Sequence, residues 1–565
     1  MWLRRGMVGL LTAGSLIGVA HAQGPVPQGS PIPRIRPSPP PSVAPGLTTP
    51  QPARPEAVPD VEVAIRRVVI DGATAFTAEQ LNAMTSPLIG STSLQNIEAA
   101  RLAILNRYRD AGFILTAVSA SVDAQETVTF VVSEGRIAEV KLDGDIGPAG
   151  TLVLRFLNHL TEQRPIEIAT LEHWLLLAQE VPGVTLRTVL RPSTDEPGAL
   201  TLIAEVTRAP FSGLMVADNA AFPQAGPAEG LIVLDANSFT EHGEKTEVSL
   251  YHTSGNTENF GQAESDFYVG DAGLRIRIYG GYGPTNPSSP LRDIGYHGTT
   301  TVAGLGASYP MIRRRQQTLD LTASFDAIES SVDVQSGAIA VSKDSLRVLR
   351  FGASYALQDA LLGDERAATN VVTARVSQGL PWLGASSSVG NLTVPSGEVV
   401  SFTKVNAEIS RTQALFEPWA GASVSLLGLL AGQWSNDVLP QVEQFYLGGL
   451  RLNPGYYSGE VTGDSALAAY GELRLDNSWE VPLLGRSFDI GAQLFGFWSW
   501  GETWNNSALQ TNHRVASGGG GIRLTLTRYT EFDVVGVSRF VLNPSGAGTT
   551  PLQSDAVYWR VIARF

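Results

Sequence analysis

From about Pro210 to Phe565 the sequence alternates in short segments, every second residue apolar, and Gly, Asn, Asp, Pro and Ser break the segments apart. A period of two means strands with one oily face and one polar face. In the segment from Leu274 to Tyr282, Leu274, Ile276, Ile278 and Tyr282 share a face while Arg275 and Arg277 take the other. Leu319, Leu321, Ala323 and Phe325 likewise oppose Asp320, Thr322, Ser324 and Asp326. Phe488, Ile490, Ala492, Leu494, Trp498 and Trp500 oppose a row that includes Asp489, Gln493, Phe497 and Ser499. Sixteen such segments start near 209, 229, 244, 259, 274, 299, 316, 345, 369, 399, 418, 465, 486, 514, 530 and 555. An even set of antiparallel strands with apolar rows facing outward predicts a closed transmembrane β-barrel, because bilayer core holds no water for open backbone groups. A soluble sandwich would strand the same aromatic-rich rows on its surface.

The N-terminus gives an address. Arg4 and Arg5 precede an apolar run from Gly6 to Val19, and Ala20-His21-Ala22 has the A-x-A form of a signal peptidase site. Residues 1–22 are therefore read as a signal peptide cleaved after Ala22, since the run is shorter than the ~20 residues of a spanning helix. The chain has no cysteine, which suits an oxidising compartment and excludes thiolate chemistry. Its net charge of -14 argues against a nucleic-acid partner. Residues 23–60 hold thirteen of the 34 prolines and read as an extended linker, poorly suited to a helix.

Between the linker and the barrel the period changes to that of mixed α/β structure. In 61–134, VEVAIRRVVIDG reads as a strand, FTAEQLNAM opens a helix, and a second helix presents Leu94, Ile97, Ile104, Leu105 and Tyr108 on one face. Ser93 is placed to cap that helix and Gly112 to stop it. Two strands close the unit. A second unit of the same plan fills 135–208, which predicts a tandem module; the barrel takes 209–565. An open edge on such a sheet can add a client strand through main-chain hydrogen bonds. Docking to the barrel or to other proteins is the alternative use.

Three passages carry a resemblance. "SEGRIAEVKLDG" and "LEHWLLLAQEVPGVTLRTVLRPS" in the modules, and "AGQWSNDVLPQVEQFYLGGLRLNPGYYSGEVTGDS" in the barrel, resemble the two-partner secretion transporters, the family of the haemolysin and filamentous-haemagglutinin exporters. The resemblance implies two periplasmic POTRA domains ahead of an outer-membrane barrel, and export of an unfolded partner exoprotein. It implies client contact around Glu134, Gly135, Leu171, Leu175, Leu176, Pro182 and Gly183. It also implies that the loop between strands eleven and twelve, with Gln444, Phe445, Gly448, Gly449, Arg451, Asn453, Pro454, Gly455 and Tyr456, folds back into the pore. The terminal strand, with Trp559 and Phe565, is similar to the signal read by the barrel-assembly machinery, which with periplasmic chaperones and outer-membrane lipid completes the implied partners.

Two departures stand out. The family's loop tip reads Val-Arg-Gly-aromatic, and the Arg position aligns with Pro454; its aspartate partner aligns with Ser499 in Phe497-Trp498-Ser499. Losing one member alone would leave a poorly compensated buried charge, costing ~3 kcal/mol, so joint loss is the tolerable change. Arg451 is then the candidate substitute cation, with Asp489 as its acceptor. The family's pore-filling N-terminal helix is the second departure, because the proline-rich stretch argues against one.

No nucleophile elbow, P-loop, H-E-x-x-H or paired-carboxylate site is present, so no enzyme, metal or cofactor is expected. Gly518–Gly521 precede a strand rather than a helix and read as a device for curvature. A BamA-like insertase and a passive porin are the alternatives to export.

Overall fold

The computed structural model describes residues 29–37, 43, 61–193, 196, 198–335, 337, 339–389, 397–483, 486–508, 510–544 and 551–565, with backbone alone at 339, 388–389, 481–483 and 486–489. The expected signal peptide, with Ala20 and Ala22, lies outside these residues.

The first α/β unit runs β1 (Glu62–Ile65), β2 (Arg67–Asp71), α2 (Ala78–Thr85), β3 (Gly90–Ser93), α3 (Leu94–Asp110), β4 (Ala117–Val122) and β5 (Thr127–Ser133), with α1 (Ile32–Ile35) ahead of it. The single opening strand of the sequence reading is thus two. It divides at Arg66, whose N–H donates to the Glu126 carbonyl, so that β1 pairs with β3 while β2 joins the main sheet. Ser93 caps α3 through the Asn96 N–H at 3.3 Å, and Ile97, Ile104, Leu105 and Tyr108 are buried as the helical period requires.

The second unit runs β6 (Arg136–Asp143), α4 (Ala149–Asn158), α5 (Ile168–Gln179), β7 (Val184–Pro192) and β8 (Ala199–Arg208). Its sheet order β6-β8-β7 repeats the β2-β5-β4 order of the first, with β6 parallel to β8 as β2 is to β5. Leu115 of the first unit packs against the core of the second, and the Ile168 N–H donates to the Gly112 carbonyl at 2.9 Å, so the two units share a joint.

The barrel starts with β9 (Phe211–Asp218), β10 (Glu229–Asn237), β11 (Lys245–Thr253), β12 (Asn259–Val269), β13 (Leu274–Thr285), β14 (His297–Arg313), β15 (Gln317–Val334), β16 (Ile339–Asp359) and β17 (Ala368–Gly379). A short β18 (Ser386–Val389) pairs with the outer part of β16, and β19 (Thr403–Phe416) and β20 (Ala422–Ser435) follow. After the hairpin strands β21 (Phe445–Leu447) and β22 (Val461–Gly463), the wall resumes with β23 (Ser465–Leu483), β24 (Arg486–Trp504), β25 (His513–Thr527), β26 (Thr530–Arg539) and β27 (Asp555–Arg564). Leaving out β18, β21 and β22, sixteen antiparallel strands close when β27 pairs with β9. Phe565 extends that seam: its N–H donates to the Gly213 carbonyl at 3.1 Å, and the Gly213 N–H returns the bond at 2.9 Å.

The alternation read from the sequence sets the two faces. Ile278, Leu321, Leu430, Leu494, Trp498 and Val557 stand exposed on the outside, while Asp326, Glu472, Ser499 and Tyr558 are buried toward the lumen. Within the glycine run, a Cβ on Gly519 would lie 2.1 Å from the Gly536 carbonyl oxygen, so the strand passes closer to its neighbour than any side chain would allow.

Candidate pore and its inserted loop

Two segments occupy the lumen. The first corrects the linker reading: residues 29–37 are not free spacer, because α1 is seated inside the barrel. Ile32 and Ile35, three apart on one face, pack with Val216, Leu231, Val233, Tyr251 and Phe260. Arg34 lies 3.0 Å from Glu258, and Arg36 pairs with Glu247. Proline does not oppose this turn: Pro33 sits in its first positions, where an amide donor has no intrahelical acceptor anyway.

The second segment is the long connection between β20 and β23, which leaves the outer strand ends and folds back inside. Gln441–Glu443 form one 3-10 turn, β21 and β22 pair as a hairpin, and Gly449 bridges Asn453 to shape the tip. Leu447, Leu452, Tyr456 and Val461 form an apolar cluster with wall residues Ala431, Ala468 and Val515. The expected loop residues are therefore brought together. Gln444 donates to Asp464 at 3.2 Å and accepts from Thr462 at 2.8 Å, the Gly449 N–H donates to the Tyr456 carbonyl at 2.8 Å, and Phe445 packs beside the apolar cluster. Gly448, next to Gly449, adopts φ +109, and the Asn453 side chain is fully buried.

At the tip, the missing ion pair is replaced by hydrogen bonds to main-chain carbonyls. Ser499 and Ser517 hydroxyls lie 2.8 Å apart, and Ser517 donates to the Pro454 carbonyl. Arg539 of β26 donates to the Gly455 carbonyl, which also accepts from the Tyr558 hydroxyl at 3.2 Å. The cation has moved to the wall, and the loop supplies neutral acceptors. Gly455 takes φ +104, and a Cβ there would lie 2.6 Å from Val537 Cγ1, so only glycine fits. Phe497 stacks on Tyr470 at 5.7 Å between centroids and lines the wall below the tip.

Arg451 takes a different partner from the one expected: it pairs with Glu408 on β19. Asp489 stands ten residues before Ser499 on the same strand, roughly 33 Å nearer the periplasmic end by strand rise, beyond an arginine's reach from the tip. Its side chain lies outside the described residues.

Sequence reasoning missed the loop's strongest electrostatic anchor. The buried carboxylate of Glu443 lies 2.6 Å from Arg350 Nη2 on β16 and 2.8 Å from Lys404 Nζ on β19, and Arg350 also meets Asp326 at 2.5 Å. Lys404 donates again to the Glu443 carbonyl at 2.6 Å. Removing one partner of such a buried set costs roughly 3–5 kcal/mol, several times an exposed pair. Arg350 stands 93 residues from Glu443 in sequence, so no local spacing announces the contact.

The module residues expected to meet a client are largely engaged elsewhere. Glu134 accepts from the N–H groups of Thr74 and Ala75 at 2.7 and 2.8 Å and from the Tyr108 hydroxyl at 2.7 Å, and the Gly135 carbonyl accepts from the Ile166 N–H at 3.0 Å. Burial pushes the Glu134 carboxyl up, but these hydrogen bonds outweigh it and hold the group below its ordinary value. Leu171 is buried in the second core, Leu175 packs against that core, and Leu176 is half-buried.

Pro182 and Gly183 dock the second unit on the barrel. The Pro182 carbonyl accepts from Ser238 at 2.6 Å, and the Gly183 carbonyl accepts from the Ala209 N–H at 2.8 Å. Barrel Tyr268 enters the same apolar cluster as Phe156, and Arg313 reaches Glu180 at 3.1 Å. Each large apolar side chain so buried stabilises by roughly 1.5–3 kcal/mol, more than the exposed Arg155–Glu241 pair at 2.9 Å contributes.

Residues 285–524 match the family of haemolysin secretion/activation proteins ShlB/FhaC/HecB, and residues 63–135 match the ShlB-type POTRA domain. Among curated relatives, the outer membrane transporter CdiB of Escherichia coli O6:K15:H31 is 22% identical over 74% of this chain and 69% of its own length. The hemolysin transporter proteins HpmB of Proteus mirabilis and ShlB of Serratia marcescens are each 24% identical over 76% of this chain, and over 74% and 73% of their own. In fold, the chain is similar to CdiB from Escherichia coli, with TM-score 0.70 at 16% identity over 91% of this chain and 93% of that one. CdiB from Acinetobacter baumannii gives 0.60 at 14% over 100% and 98%. These matches thus place residues 285–524 in the haemolysin secretion/activation family and residues 63–135 in its POTRA domain, within an outer-membrane protein whose POTRA domains stand in the periplasm.

Proposed function

We propose that this chain exports one large partner exoprotein, haemolysin-like or adhesin-like, from the periplasm to the cell surface. The POTRA units, 61–134 and 135–208, capture the unfolded client through their open sheet edges, and the barrel forms the conduit. The carrying observation is the lumen itself: two segments enter it, and both are held by side chains rather than by strand pairing with the wall. A passive porin needs an open lumen, whereas here passage requires withdrawal of the loop. Transport proceeds without nucleotide, and client folding outside the cell supplies the direction. Transport rather than catalysis is the activity.

The occlusion is tested in planar bilayers. Deleting 443–463 is expected to convert small, fluctuating conductance into a large steady one, and unchanged conductance refutes it. The export role is tested by deleting the chain and following the exoprotein encoded beside it, which should accumulate in the periplasm.

A further inference from the structure

The lumen wall from β15 to β19 carries a belt of charge at one height. Ser377 of β17 is in register with both Arg350 and Lys404, and Asp326 reaches Arg350 from β15. Two residues away on the same face of β17 stands Arg375, opposite Gly352 on one side and Asn406 on the other. Arg375 is exposed, and among the described residues it makes no ion pair within 4 Å. Three cations therefore share this belt with one wall carboxylate. The second carboxylate, Glu443, comes from the loop and is gripped by two of the three.

We propose that Arg350, Arg375 and Lys404 form a carboxylate-binding site on the conduit wall, filled by Glu443 in the closed pore and by acidic side chains of the passing polypeptide once the loop withdraws. The seated Glu443 shows what ligand the site takes: a side-chain carboxylate, bound by a planar guanidinium and an ammonium. A withdrawn loop also removes Arg451 from Glu408, four residues along β19, so the bared wall presents a cationic belt above a single acid. An extended client crosses that height one residue every ~3.3 Å, and each Asp or Glu finds in turn the partners that Glu443 vacates. Carboxylates thus compete with the loop for one seat, which favours the open pore while an acidic stretch is in transit.

The proposal rests on loop occlusion only for when the site is vacant, so the test uses a barrel in which 441–463 is replaced by a short Gly-Ser linker. Single-channel block is measured with poly-glutamate and with poly-glutamine peptides of equal length. Poly-glutamate is expected to reside about tenfold longer. The double variant Arg375→Gln with Lys404→Gln, which leaves the Arg350–Asp326 pair in place, should bring the two residence times within about twofold. Heat-modifiable gel migration verifies that each barrel is folded. Equal residence of the two peptides, or a preference untouched by the double variant, overturns the proposal. So does a shift in chloride selectivity without any poly-glutamate preference, which would make the site one for small anions.

Discussion

The hydroxyl of Tyr456, at the tip of the inserted loop, lies 2.7 Å from the carbonyl oxygen of Ala516 on β25. The Val541 carbonyl beyond β26 lies 2.9 Å from the same oxygen, so one side chain ties the loop to two neighbouring strands. Tyr456→Phe keeps the ring in its apolar cluster and loses this tie, worth about 0.5–1.5 kcal/mol. Its open-to-closed ratio in planar bilayers is expected to rise about three- to tenfold, with full-open conductance unchanged. A ratio equal to the parent's would show that the hydroxyl holds nothing.

The seated N-terminal segment gives an independent test. Ile32 is 3% exposed among lumen side chains, and Glu247 and Glu258 lie nearby, paired to the segment's own arginines. Ile32→Asp places an unpaired carboxylate there, at a cost of roughly 3 kcal/mol or more, enough to expel the segment. Protease should then cut between 29 and 37 in intact outer membranes, where the parent resists.

The wall was legible because lipid on one side and water on the other write themselves into every second residue. Strand starts at 229, 259, 274, 465, 486, 530 and 555 coincide with the structure. The largest miss is β16, which begins at Ile339 rather than near 345, since its outer end pairs with β15 and β18 through the polar run Ser342–Ser345, which breaks the apolar alternation. The loop was legible from its glycines and aromatics, its anchors only in part. Arg350, Lys404 and Arg539 read locally as ordinary lumen charges, and only barrel closure brings them to the loop. The seated α1 was obscured by prolines that dominate its surroundings while contributing little to its contacts.

Docking of the second POTRA unit depends on Arg313, 7% exposed, which bridges Glu180 at 3.1 Å and Asp320 at 2.7 Å. Arg313→Ala is expected to loosen the arm by about 1–2 kcal/mol without unfolding the barrel. Hydrogen exchange at the Arg315 amide, which donates to Glu172 at 3.2 Å, should accelerate while lumen amides stay protected.

The first POTRA unit carries a pH signature. Glu134 has its carboxyl below the ordinary value when folded, so its contribution is complete above the unfolded value of roughly pH 4.3 and is lost as pH falls through the lowered one. Glu134→Gln removes the charge and should destabilise the unit by about 1 kcal/mol at pH 7, after discounting for its partial exposure. The gap between variant and parent, read from exchange of the Ala75 amide, should narrow in acid; a gap constant with pH would assign the effect to shape alone.

Both stems of the inserted loop spring from the outward ends of β20 and β23. On the proposed export route, a polypeptide advancing from the periplasm would push the loop toward its own stems. Anything pressing from the exterior drives it deeper against the wall. On the proposed export route, such an attachment would act as a check valve, favouring outward traffic before any folding of the cargo adds its pull.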